Sequence, residues 1–243
     1  MKKIFLFTMV SIALAGSLKA QYYYDRSKNP DKAPVQATKK ALAQSSNYAD
    51  YSKFFYASWD ANMPMSNASF INQTSSLGFK LGFRKKINDE DRFWVGGDLG
   101  EAIYKQYTPY QVYNFGTQSV ATDLYHYAYS YSGTVNIDYF FFPMDKRVAP
   151  YVGLGIGASY IKFSEYYNIS SSSATTWGLL VRPEAGFLIG FTPTSPWRLK
   201  AAVHFDYASN SYNFYTSNSF LASSKYSNFI STGFQIGILK MIW

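Results

Sequence analysis

From Lys53 onward the chain repeats one pattern, an apolar side chain at every second position. A period of two is that of a β-strand, whose successive side chains point to opposite faces. In Ser75–Arg84, Leu77, Phe79, Leu81 and Phe83 share one face, with Gly78, Lys80, Gly82 and Arg84 opposite. In "PYVGLGIGASYIKF", Val152, Leu154, Ile156 and Ala158 oppose Gly153, Gly155, Gly157 and Ser159. In "DLYHYAYSYSGTVNIDYFFFP" the alternation holds from Tyr125 to Phe141. The pattern predicts eight strands: Lys53–Ala61, Ser75–Arg84, Arg92–Tyr104, the segment from Asp123, Pro150–Phe163, Thr176–Phe191, Trp197–Ala208 and Tyr226–Trp243.

The connections alternate strictly. Asn88–Asp91, Pro143–Arg147 and Thr192–Pro196 are short and carry turn residues. Asn62–Thr74, Lys105–Asp123, Ser164–Thr175 and Ser209–Lys225 read as long loops rich in Ser, Tyr and Asn. An all-β chain with this rhythm is an up-and-down antiparallel barrel with both termini on the short-turn side.

Alternation does not say which face is inside, and a soluble lipocalin-type barrel also has eight strands. Size decides for the opposite arrangement. An eight-stranded interior is just wide enough for side chains to fill, so glycine and short polar residues suit it and bulky rings suit the outside. The rings also cluster at the two ends of the apolar face. Tyr125–Tyr131 stand at one end of the fourth segment and Tyr139 and Phe141 at the other, with Gly133, Val135 and Ile137 between. Trp177, then Phe187 and Phe191, repeat this on the sixth. Two aromatic girdles around an apolar band mark a barrel in a bilayer. The aromatic content of 20% and charged content of 16% agree. A backbone in hydrocarbon must pair every polar group internally, which for strands requires closure. Pro183 lies inside the sixth segment, where it deletes a ladder hydrogen bond and predicts a bulge.

The first twenty residues carry Lys2 and Lys3, an apolar run Ile4–Ala15 and then small residues, the layout of a secretory signal peptide. Cleavage is expected after Ala20, with Ser17 the alternative; an uncleaved anchor is disfavoured by length. Residues 21–50, polar with Pro30 and Pro34, read as a periplasmic linker, and residues 51–243 as the barrel. Loss of Lys2, Lys3 and Lys19 takes the formal charge from +8 to +5. The basic clusters Arg84–Lys86 and Lys146–Arg147 read as solvated turns, and nothing points to nucleic acid. There is no cysteine, hence no disulfide, thiolate metal site or lipoprotein anchor.

"PYVGLGIGASY", the alternation of short turns and long loops, and the terminal aromatic Trp243 resemble the small eight-stranded outer-membrane barrels, the OmpA/OmpX-like proteins. The resemblance covers about Tyr51–Trp243. It implies a monomeric barrel in a Gram-negative outer membrane, in contact with lipid and lipopolysaccharide. It also implies a terminal strand read by the barrel-assembly machinery. Gly237, Lys240 and Ile242 sit one position off the usual spacing of that strand.

With the apolar face outward, parity puts Asp60, Lys80, Arg84, Asp98, Asp138, Arg182, Glu184, Lys200 and Asp206 inside. Their near balance predicts a network of ion pairs, since an ion out of water needs a partner. Such a network is a structural plug or, alternatively, a gate in a narrow pore. Both histidines, His126 and His204, also face inward. "HFDYASN" resembles the outer-membrane lipid A deacylases, but Asp206 stands where their serine would be and Ser209 has the wrong parity. No catalytic triad, metal cluster, phosphate loop or cofactor site is read from the sequence. The expectation is a non-enzymatic barrel with a structural or surface-interaction role; a small pore and a lipid-modifying enzyme are the alternatives.

Overall fold

The computed structural model describes residues 51–67, 70–87, 92–115, 118–142, 144, 146–168, 170–192, 195–213 and 225–242. The signal segment, the linker, the turn at Asn88–Asp91 and Trp243 lie outside the described residues. Eight strands follow one another: β1 (Lys53–Pro64), β2 (Ser75–Lys86), β3 (Phe93–Phe115), β4 (Gln118–Phe140), β5 (Val148–Tyr167), β6 (Ser170–Gly190), β7 (Trp197–Asn213) and β8 (Lys225–Ile242). Each pairs with its chain neighbours, and β8 returns to β1 from Lys53↔Ile242 to Pro64↔Ser231. The result is a closed, antiparallel, up-and-down barrel with no free sheet edge.

The expected long loops are largely strand. β3 and β4 each run 23 residues and stay paired to Phe115↔Gln118, so the loop expected at Lys105–Asp123 is a hairpin. The one expected at Ser164–Thr175 narrows to a turn after Tyr167↔Ser170, with Asn168 at φ 50°, a conformation asparagine tolerates better than most residues. β7 likewise continues to Asn213. A membrane strand needs only about 9–11 residues, so β3–β6 stand well beyond the hydrocarbon as a tall wall. β1 and β2, at 12 residues each, leave that rim low on one side. There Phe70 and Ile71, between β1 and β2, are buried.

Pro183 produces no bulge. Toward β5 it pairs with Leu154 in unbroken register. Toward β7 the ladder lapses between Val181↔Tyr207 and Glu184↔His204, yet both pairs belong to one register. The missing N–H is absorbed as a local gap. Register shifts occur instead at Asp60/Asn62, Thr108/Gln111 and Ala208/Ser211.

The two faces lie as the size difference requires. Leu77, Val135 and Ile156 point outward with 64%, 67% and 50% of their surface exposed. Lys80, Asp138 and Arg182 point inward and are buried. The inside is not made only of small and charged groups, however. Phe54, Tyr56, Trp94, Phe140 and Tyr151 fill its short-turn end, while Tyr104, Ile161, Phe163 and Phe229 join Phe70 at the other. These rings have room because inward glycines face them. A Cβ on Gly82 would collide with the Tyr56 ring and the Asp98 carboxylate, and one on Gly153 with Asp138.

Candidate functional site

The interior is layered. At the short-turn end is an apolar layer in which the Trp94 ring lies 5.1 Å from Phe54 and 6.2 Å from Phe140. At the hairpin end a second apolar layer packs Phe70 edge-on to Phe163 (5.5 Å) and Tyr104 edge-on to Phe229 (5.2 Å). All nine inward charges expected from parity, and His204, are buried, and the network they form reaches into the short-turn layer, where Lys200 lies over the Tyr56 and Tyr151 rings.

They are joined in three connected groups. Arg84 on β2 donates from Nε to Asp138 Oδ2 (2.6 Å) and from Nη1 and Nη2 to both oxygens of Asp98 (2.6 and 3.0 Å). Asn136 Nδ2 donates to the same Asp98. Across the lumen, Glu184 on β6 receives Lys200 Nζ (2.8 Å), the Tyr151 hydroxyl (2.5 Å) and Gln235 Nε2. Arg182 makes a two-pronged contact with Asp206 (2.5 and 2.6 Å). Lys80 Nζ joins Asp60 to the Glu184 group, 3.6 Å from Asp60 Oδ2 and 4.0 Å from Glu184 Oε2. The Tyr56 ring ties two of them together, with Lys200 Nζ 3.8 Å and Arg84 Cζ 5.6 Å from its centroid. A planar guanidinium gripping a carboxylate in this way is among the stronger charge-assisted contacts.

His204 contacts Asn62 Oδ1 through Nε2 (3.0 Å) and stands 3.7 Å from Asp60 and 3.8 Å from Asp206. It is a member of the charge network, hydrogen-bonded to an amide. His126 lies higher, beyond the upper apolar layer, 3.6 Å from Glu165 Oε1, with the Phe70 ring stacked on it at 4.5 Å. Among the described residues no group of three or more His, Cys, Asp or Glu side chains is arranged to hold a metal ion.

Among the described residues, two buried charges were not among those assigned from parity. Arg198 is the second residue of β7, and its guanidinium donates to the backbone carbonyls of Lys146 (2.9 Å) and Met144, fastening the β4–β5 turn from inside. Glu165 falls where a loop was expected; only the true length of β5 puts it on the inner face. Parity was available for Arg198, which is even-numbered like Lys200 and His204 on the same strand.

The outer face has its own order. Val135, Ile137, Leu99, Leu81, Ile156 and Leu179 form an exposed aliphatic band. On one side of it stand Trp59, Tyr131 and Trp177, with Trp59 Nε1 donating to the Ser76 carbonyl (2.7 Å). On the other stand Phe55, Phe93, Phe141, Phe191 and Trp197. Above the band, on the tall wall of β3–β5, tyrosines pack in pairs. Tyr107 meets Tyr125 at 4.7 Å, Tyr127 stacks on Tyr129 at 5.9 Å, and Tyr127 meets Tyr166 edge-on at 5.7 Å. Lys105 Nζ lies 5.7 and 5.8 Å from the Tyr125 and Tyr127 rings.

A closed barrel that is apolar outside and charged inside, with an aromatic ring at each border of the band, is a transmembrane β-barrel. It has the architecture of the small eight-stranded outer-membrane barrels. No protein-family profile matches the chain, and no curated protein matches it. Among solved structures it is similar to the attachment invasion locus protein Ail of Yersinia pestis, at 13% identity over 79% of this chain and 99% of that one, with TM-score 0.47. It is also similar to Neisserial surface protein A, at 14% identity over 78% and 97% with TM-score 0.44. A third is OprG of Pseudomonas aeruginosa, at 16% identity over 80% and 98% with TM-score 0.42. At these identities the likeness concerns the fold and extends to no activity.

Proposed function

We propose that this chain is an integral outer-membrane barrel of a Gram-negative cell, with its short turns in the periplasm, acting through its projecting hairpins and not through its lumen. It reaches the membrane after loss of residues 1–20, is inserted by the barrel-assembly machinery through β8, and works as a monomer among phospholipid and lipopolysaccharide. Its role is structural or one of surface interaction. The observation that carries this reading is the layering of the interior. An ion-pair network closed at both ends by packed rings is a plug, and a pore would need both apolar layers to open. The tyrosine-lined wall, by contrast, presents rigid rings beside hydroxyl groups, a good contact surface.

The purified barrel in planar bilayers tests it. The plug reading expects no stepwise conductance. The pore reading expects steps that change when Arg182 or Glu184 is neutralised. A lipid-modifying activity would show as fatty acid released from lipopolysaccharide and lost in His204→Ala; the placement of His204 inside the ion-pair layer favours a structural part for it.

A further inference from the structure

One part of the outer wall is not a smooth band. Between β1, β2, β3 and β8 lies a groove of about 550 Å³, left open where Ala57 and Gly97 bring almost no side chain to the surface. Phe55 and Phe83, with ring centroids 4.6 Å apart, form one side of it, and Leu81, Leu99 and Ile238 line the rest. Trp197 and Lys240 border its short-turn end.

Three lysines stand at that end of the outer face. Lys53 and Lys85 are register partners, directly opposite across β1 and β2, in line with Phe55 and Phe83. Lys240 is the register partner of both Phe55 and Trp197, and its Nζ lies 5.4 Å from the Trp197 ring. Like charges directly opposite in a ladder destabilise it. Among the described residues no carboxylate lies within ion-pair distance of any of the three lysines. On the outer face of β8, Lys240 follows Phe234, Ile236 and Ile238 and puts a charge at the next outward position. An open apolar groove bordered by Lys240, with Lys53 and Lys85 one same-face pair beyond Phe55 and Phe83 toward the short turns and none of the three paired with a carboxylate among the described residues, has the chemistry of an acyl chain joined to a phosphate.

We propose that this groove binds an anionic phospholipid of the leaflet on the short-turn side, one acyl chain along Ala57 and Gly97 and the phosphate held by Lys53, Lys85 and Lys240. The site rests on the membrane reading above and on its orientation, which puts this leaflet on the periplasmic side. A second copy of the chain fits poorly, because a two-fold contact on this face would set the same three lysines against their counterparts.

The test uses the full barrel released into mild detergent and followed by native mass spectrometry against defined additions of phosphatidylglycerol, phosphatidylcholine and lipopolysaccharide. The expected result is a one-to-one adduct with phosphatidylglycerol, weakened about fivefold for each lysine removed in K53Q, K85Q and K240Q. Ala57→Leu, which fills the groove and keeps every lysine, should lower occupancy as well. Equal retention of phosphatidylcholine, preference for lipopolysaccharide, a dimer in place of the lipid adduct, or unchanged occupancy in Ala57→Leu would each overturn the proposal. Heat-modifiable gel mobility of every variant shows that the barrel has folded. If the parent chain never enters lipid, it is the membrane reading that fails and not this site.

Discussion

At the scale of single residues, the interior depends on pairing more than on any one charge. Arg84 serves two carboxylates on two other strands, so Arg84→Ala leaves Asp98 and Asp138 buried without their cation. Breaking a buried pair from one side costs about 3–5 kcal/mol. The variant's urea midpoint in lipid vesicles, read by gel mobility, should fall by the corresponding amount. A loss under about 1 kcal/mol would mean that water compensates those carboxylates. The outer face makes the opposite demand. Val135 lies in the middle of the exposed band, and Val135→Arg should cost about 2–4 kcal/mol in vesicles, whereas a water-facing position would tolerate it. Most inner charges were legible one by one, because a strand's parity assigns its whole set at once. The inward rings were not. Tyr56, Trp94 and Phe140 obey the same parity as Asp60, Asp98 and Asp138, but the rule that bulky rings suit the outside does not place them inside. Glycines on facing strands reverse that expectation by giving up the volume a ring needs.

At the scale of elements, the walls and their tips separate. Gln106 and His126 are register partners, so residues 107–125 can be replaced by a two-residue Asn-Gly turn that closes the hairpin on an existing pair. The shortened barrel should keep its heat-modifiable mobility and lose whatever the parent binds at the cell surface. Binding that survives would move the contact surface elsewhere. Strand lengths were the least legible feature. Ser, Tyr and Asn serve equally in loops and in water-exposed strands, and no glycine or proline cluster marks where lipid ends. Backbone pairing simply continues past the interface. The outcome at Pro183 has a similar cause: a barrel strand held in register from both sides tolerates one missing donor without shifting.

At the scale of the whole molecule, closure converts eight separate ribbons into one continuous cylinder. Two apolar layers bracket the ions, so single-channel recordings of the wild-type barrel should be flat. Trp94→Ala should leave them flat, since the layer built on Phe70, Tyr104 and Phe229 still blocks the other end. Steps in either recording would show that these layers do not close the lumen.

The sequence by itself determined the strand class, the order of neighbours and which face meets lipid, because all three follow from a period of two and from the contrast between large apolar and small or charged residues. Only the tertiary structure decided which charges meet. Lys80 and Glu184 lie four strands apart along the barrel wall and Arg84 and Asp138 two, and they face each other only after the sheet curls and closes with a particular stagger. The same holds for the lysines beneath the groove. Lys53 and Lys240 come from opposite ends of the barrel segment, and pairing β1 with β8 is what makes them neighbours.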